Sequence, residues 1–321
     1  MRSGKELILA TKPFAKENRT ISWFHLISGL LIFGLSETCT ILFQNIFIKL
    51  IFSLLSALIM ARLFIIYHDY LHRTILQRSF PAKIIMNAYG IFLLSPPSIW
   101  KRTHDHHHKN NSKLYSASIG SYPVMTKQKF MASSPKEKFE YLAVRHPVTI
   151  MFGYIFMFIY GLCIQSYIAN PKLHKDSLTA LIVHALIIIT VLWLGGWVIL
   201  LTTVLIPFFI TLSLGSYLFY AQHNFPGAYF TSNDKWDYLT AATQSSSYME
   251  MNPVMQWFTG NIGFHHIHHV NAHIPFYRLP EAMQKIPEFQ NTMRTSLSPF
   301  EIVRCLKLKV WDAEKGKMTG V

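Results

Sequence analysis

Charge is what this sequence has least of. Only 14% of its 321 residues are Asp, Glu, Lys or Arg, where a soluble domain devotes roughly a quarter. A chain so poor in charge cannot clothe itself in water, so a membrane protein is the expected class. Acid is scarcer than base, at 16 residues against 30, and the net charge is +14. The three cysteines, Cys39, Cys163 and Cys305, lie far apart and form no CxxC pair. That excludes an iron–sulfur site and a disulfide framework, so any redox cofactor must be held without thiolates. With 24 Phe and 15 Gly, disorder and collagen are excluded as well. Internal repeats, low-complexity tracts and a second soluble domain are all missing.

Long apolar runs are present. A span needs about 20 mainly apolar residues. Residues 21–66 carry only Glu37, Lys49 and Arg62 as charges, a length that suits a helical hairpin turning between Glu37 and Lys49. Residues 177–222 carry no charge and suit a second hairpin turning near Gly195 and Gly196. Residues 1–20 are polar and basic, without a small-residue cleavage site after the apolar core, and read as an uncleaved cytosolic tail. Of the 30 Lys and Arg, 5 precede residue 21, 12 lie in 67–146 and 9 follow residue 222. Positive charge marks the cytosolic side, and only an even number of crossings keeps the last two blocks together. Residues 147–168, apolar but flanked by Lys172 and Lys175 in the next loop, are therefore expected to be interfacial or re-entrant rather than a fifth span. The expected fold is an all-α membrane protein: four transmembrane helices in two hairpins, with a cytosolic helical cap formed by residues 67–146 and 223–321.

Histidine is abundant, with 16 residues, and it clusters in that cap. His68 and His72 are four apart. His104, His107 and His108 fit i, i+3, i+4, and so do His265, His268 and His269, so each group shares one helix face. His223 stands alone at the end of the second hairpin. Imidazole suits zinc, copper, iron and nickel, and eight or nine such groups exceed the needs of one ion, so two metals are expected. HExxH is absent, which removes the zinc-protease arrangement. The Glu and ExxH pattern of carboxylate-bridged di-iron bundles is absent too. His25, His146, His174 and His273 read as solvated or hydrogen-bonded bystanders, and His184 as a bond across helices. His106 and His266 are out of phase with their neighbours and are expected to face outward or to support the ligands. What remains is an all-imidazole pair of redox metals beside a bilayer.

At these residues the sequence resembles the membrane-bound fatty acid desaturases, whose histidine boxes read HxxxH or HxxxxH, then HxxHH twice. Flanking text is similar to bacterial acyl-lipid desaturases of the Δ12 or ω-6 type. It includes Ser95-Pro-Pro-Ser-Ile-Trp100, Ile119-Gly-Ser-Tyr-Pro-Val-Met-Thr126, Tyr220-Ala-Gln-His-Asn-Phe225, and the run from Trp257 through the third box to Pro275. The resemblance covers residues 20 to 290. It implies two non-haem irons, O2 as co-substrate, and removal of two hydrogens from adjacent methylenes to leave a cis double bond. It also implies that His223 is a ninth ligand. A related branch carries Asn four residues before that histidine; here the position is Phe219, and Gln222, Asn224 or Asn261 are the substitutes.

The ligands' second nitrogens need acceptors, for which Asp69, Asp105, Asp234, Asp237 and Glu250 are the candidates. An acyl tunnel is expected to draw on Phe92, Leu94, Trp100, Tyr248, Met249 and Met251. Electrons must come from outside, since haem and iron–sulfur motifs are absent. The basic face would attract an acidic, ferredoxin-like carrier and anionic headgroups. Nucleic-acid motifs are absent. The expected location is a bacterial inner membrane, with the metal site facing the cytosol. Hydroxylases and ketolases share the box spacing. A His-rich metal transporter is disfavoured because only His184 lies inside the second hairpin, and transport needs ligands at membrane depth.

Overall fold

Long runs of Leu, Ile and Phe dictate the helices, and the few polar residues within them place the turns. In the computed structural model, which describes residue 2 and residues 4–116 and 122–321, helices Arg19–Leu42 and Ile46–Leu71 are joined through Phe43, Gln44 and Asn45. Residues 119–121 of the flanking text quoted above lie outside the described residues. Asn45 caps the second helix by accepting the Phe47 and Ile48 N–H groups. Lys49 sits at the same turn, where its Nζ donates to the carbonyls of Thr40 and Ile41 at 2.7 and 3.3 Å. Carbonyls left unpaired at a helix end thereby gain a charged donor. Further in, the hydroxyls of Ser36 and Ser56 meet at 2.8 Å. At Gly29 an added Cβ would stand 2.8 Å from Leu63 Cδ2, so a small residue permits this close approach.

The Ile46–Leu71 helix is the most buried of the long helices and packs against both Arg19–Leu42 and Ile206–Ala221. Away from the centre, apolar side chains such as Phe24, Leu31, Trp193 and Leu194 are exposed. Outward-facing apolar surface of this extent fits hydrocarbon rather than water. Residues Lys175–Ala221 form a helical stretch of 47 residues, which at about 1.5 Å per residue is more than twice the thickness of a bilayer core. It is broken at Gly196, whose φ of 73° and ψ of −175° leave the helix, at the place where the sequence calls for a turn.

The stretch 147–168 is neither straight nor uniform. The helical stretch Pro135–Met151 ends near Gly153, and the chain bends by 118° from it into Tyr154–Ala169, most of which is π-helical. Gly153 makes the bend against Ser216, whose Cβ would lie 2.4 Å from a Cβ added at the glycine. Among the described residues, three helices are long and apolar enough to cross a membrane, or four if this bent pair is one span.

One expectation needs correction. The fold is mostly helical rather than all-α. Tyr248–Glu250 pairs in parallel with Arg294–Ser296, and Val310–Asp312 pairs antiparallel with Lys317–Thr319. These strands are three residues long, too short for an alternation to register. The N-terminal segment is docked on the rest of the chain. Helix Gly4–Thr11 folds back so that Thr11 Oγ1 accepts from Asn271 at 2.8 Å, and Arg278 donates to the carbonyls of Pro13 and Lys16.

A candidate metal centre of nine histidines

Each histidine group rides on a helix that fixes its direction. His68 occupies the last turn of Ile46–Leu71 and His72 is that helix's C-cap residue. His104, His107 and His108 lie on Pro97–Asn110, and His265, His268 and His269 on the short helix His265–Val270. His223 follows Ile206–Ala221 by two residues. Brought together, the nine sort into two nests. One holds His68, His72, His104, His108 and His268; the other holds His107, His223, His265 and His269. Within each nest the ligand-type atoms lie within 4.8 Å of one another. Each HxxHH motif is thereby divided between the nests, since its middle histidine, His107 or His268, turns the other way.

The contacts inside the nests are between nitrogens. His104 Nε2 lies 3.0 Å from His68 Nε2 and 3.1 Å from His108 Nε2, and His108 Nε2 lies 3.0 Å from His268 Nε2. In the second nest, His223 Nε2 lies 2.9 Å from His107 Nε2 and 2.8 Å from His265 Nε2, which is 3.1 Å from His269 Nε2. A neutral ring nitrogen carries one hydrogen or one lone pair, so chains of such contacts are poor hydrogen-bond networks. Adjacent ligands on one ion, with metal–nitrogen bonds of about 2.0–2.1 Å, lie about 3 Å apart when set at right angles. His72 Nε2 is buried with no hydrogen-bond partner, which a cation in the nest would supply. The donor set therefore fits two ions. Burial, reinforced by neighbouring imidazoles, pushes His104, His107, His108, His265, His268 and His269 well below their ordinary pKa. Burial also takes His223 down to about 4. Neutral rings keep the lone pairs that metal binding requires.

Of the five carboxylates considered, Asp69 alone supports a ligand: its Oδ1 lies 3.1 Å from His68 Nδ1. Asp105 pairs with Lys101, and Glu250 with Arg294. Asp237 caps the helix Tyr238–Gln244, and Asp234 lies in an exposed turn. His223 takes its support from a backbone carbonyl instead, with Nδ1 2.8 Å from Ser245 O. Side-chain type alone could not reveal that partner.

The bystanders fall as expected in most cases. His184 bonds across helices to the Tyr154 hydroxyl. His106 is exposed, and His266 is buried with its Nε2 on the Phe289 carbonyl. His25 meets Arg62.

An apolar cavity reaches the nests from among the long helices. His68, His104 and His265 close one end, and Phe64, Leu93, Trp100, Phe158 and Leu218 form much of the wall. Of the proposed lining residues only Trp100 belongs to it. Phe92 packs on Phe33 and Phe208, and Leu94 and Met249 are buried elsewhere in the core. Tyr248 stacks on Phe264, and Met251 accepts from the Thr259 hydroxyl. The elements that carry the wall are far apart in the chain, so spacing could not assign it. Phe219 lines the cavity 4.9 Å from the His107 ring. Gln222 lines it too, held by its amide on the Ile262 carbonyl at 2.8 Å. Asn224 and Asn261 are engaged elsewhere, on Cys305 and Phe276.

These features define a class: a helical protein with helices of membrane-spanning length, in which two imidazole nests, each able to hold a metal ion, abut an apolar cavity. The sequence model of the fatty acid desaturase family matches residues 45–299, and the chain belongs to that family. A Bacillus subtilis (strain 168) protein described as a fatty acid desaturase is 30% identical over 273 residues, which cover 83% of this chain and 76% of that protein.

Proposed function

We propose that the protein is an O2-dependent di-iron desaturase that places a cis double bond in an acyl chain of a membrane lipid. The observation that carries this reading is the apolar cavity ending on both nests. His68, His72, His104, His108 and His268 would hold one iron, and His107, His223, His265 and His269 the other. The irons would supply O2 activation strong enough to break unactivated C–H bonds. In balance, R–CH2–CH2–R′, O2, two electrons and two protons give R–CH=CH–R′ and two waters.

The chain's own part is positioning and exclusion. Leu93, Phe158, Leu162 and Leu218 present a wall without polar groups, which suits methylenes and keeps water from the reacting carbons. Holding one methylene pair beside the nests converts an encounter into an oriented reaction. Asp69 and the Ser245 carbonyl fix the ring orientation of His68 and His223. Electrons would come from an acidic, ferredoxin-like carrier. Arg102 and Lys109 are exposed on the helix whose other face carries His104 and His108, so charge attraction would bring such a carrier within a helix diameter of the nests. The charge distribution supports a cytosolic place for that face, and the bacterial relative supports a bacterial inner membrane.

The test is lipid analysis after expression in a host without polyunsaturated acyl chains. New double bonds, abolished by His107→Ala and by His268→Ala, are the expected result. Unchanged acyl chains accompanied by a hydroxylated lipid would overturn the reading.

A further inference from the structure

One position in the wall of the cavity has no side chain. Along Ile206–Ala221, the residues Thr211, Leu212, Leu214, Leu218 and Phe219 project side chains at the cavity, and Gly215 sits among them. Nothing in the backbone calls for glycine there. Gly215 is helical, whereas Gly196 and Gly260 have positive φ. Nor does packing call for it. A Cβ at Gly215 would meet only Phe158 Cζ, at an ordinary 3.7 Å. At Gly153 and Gly90, by contrast, an added Cβ would come within 2.4 and 2.5 Å of neighbouring atoms. Glycine inside a helix is unfavourable relative to alanine, so this residue costs stability and leaves in return only open space in the cavity.

Its place along the helix gives that space a meaning. From Gln222 at the histidine end to Thr211 at the far end, the helix covers about 16 Å. Gly215 lies about 10 Å from the histidine end. A larger side chain at 215, facing Phe158 across the cavity, would close the stretch walled by Thr211, Leu212 and Ala61. Resting on the desaturase reading, we infer that Gly215 is a specificity-determining residue: its missing side chain admits the terminal part of a long acyl chain past Phe158, and so sets the longest chain the enzyme takes.

The test compares wild type with Gly215→Ala, Gly215→Leu, and Gly215→Leu combined with Phe158→Ala. Alanine and leucine at 215 favour the helix over glycine, and Gly215→Ala, whose Cβ meets only an ordinary contact, is the control for folding. Cells are supplied with acyl chains of graded length, and the unsaturated products are profiled. Purified protein is also titrated with a long and a short fluorescent conjugated-polyene fatty acid, a readout that needs no turnover. Gly215→Leu should shift products toward shorter chains and weaken the long probe by roughly tenfold or more, leaving the short probe unchanged. Removing the Phe158 ring should restore the long probe. An unaltered product profile in an active Gly215→Leu enzyme would overturn the inference, and so would equal weakening of both probes. If wild type makes no double bonds the desaturase reading fails, and the probes alone then decide whether Gly215 sets the depth.

Discussion

His68 and Asp69 are adjacent in sequence, yet their side chains face each other, Nδ1 to Oδ1, at 3.1 Å. The other carboxylate oxygen accepts the Phe276 N–H at 2.7 Å, so one buried residue ties the end of the Ile46–Leu71 helix to the segment after the third histidine group. Asp69→Asn keeps the shape and removes the charge. It should lower iron affinity by about 10–100-fold and leave the fold intact, because an amide oxygen can still accept from Phe276. Iron per chain after dialysis against a weak chelator checks this. Iron retention equal to wild type would show that the carboxylate does not orient His68.

The nests predict that the two ions are separable. His72 belongs to one group of ligands and His269 to the other. On the di-iron reading, His72→Ala combined with His104→Ala, and His269→Ala alone, each leave one nest with three imidazoles, so each protein should retain about one iron instead of two, the remaining ion held by an intact donor set. On the same reading, both variants should lose desaturation. Elemental analysis with a lipid profile distinguishes this from a single shared site, in which either substitution would empty the protein.

Much of the candidate site was legible because helical spacing is a local property. Positions i, i+3 and i+4 share a face whatever the rest of the chain does, so the histidines on Pro97–Asn110 could be read directly. Their division between two nests could not, since it depends on which helices stand on either side. The cavity wall was illegible for the same reason: Trp100, Leu218 and Thr259 converge from three separate elements. Asp105 and Glu250 look like supports for metal ligands in sequence but spend their charge on Lys101 and Arg294. Hydrophobic runs gave the long helices, and Gly195-Gly196 the break between two of them. The Tyr248–Glu250 pairing with Arg294–Ser296 and the docking of the N-terminal helix depend on residues distant in sequence, for which no local pattern exists, and the Val310–Thr319 hairpin strands are too short to register.

Gly196 carries a testable backbone requirement. Its φ of 73° with ψ of −175° lies in a region that only glycine enters readily, at a cost of about 1–3 kcal/mol for other residues. Gly196→Ala should lower stability by that amount. Gly34→Ala is the contrasting change. Gly34 is helical, with no atom within 4 Å of an added Cβ, and the substitution should be neutral or gain up to about 1 kcal/mol. Unfolding in detergent micelles measures both, and equal effects would remove the special role of position 196.

The N-terminal segment bears on the third histidine group through one bond. Asn271 follows the His265–Val270 helix as its C-cap residue, and its amide donates to Thr11 Oγ1 at 2.8 Å. The Thr11 hydroxyl is fully buried and itself donates to the Ile8 carbonyl at 2.6 Å, so it cannot rotate away. Thr11→Val removes the acceptor while keeping the shape, leaving the Asn271 amide without its partner at a cost of about 1–3 kcal/mol. The loss falls on the cap rather than on the long helices, because the residues joined lie outside them. Hydrogen exchange should therefore quicken in residues 265–271 and remain unchanged in Ile46–Leu71. Thr11→Ser, which restores the hydroxyl, should return protection to the wild-type level. Uniform loss of protection across the long helices would mean that the N-terminal helix supports the whole bundle rather than the third histidine group.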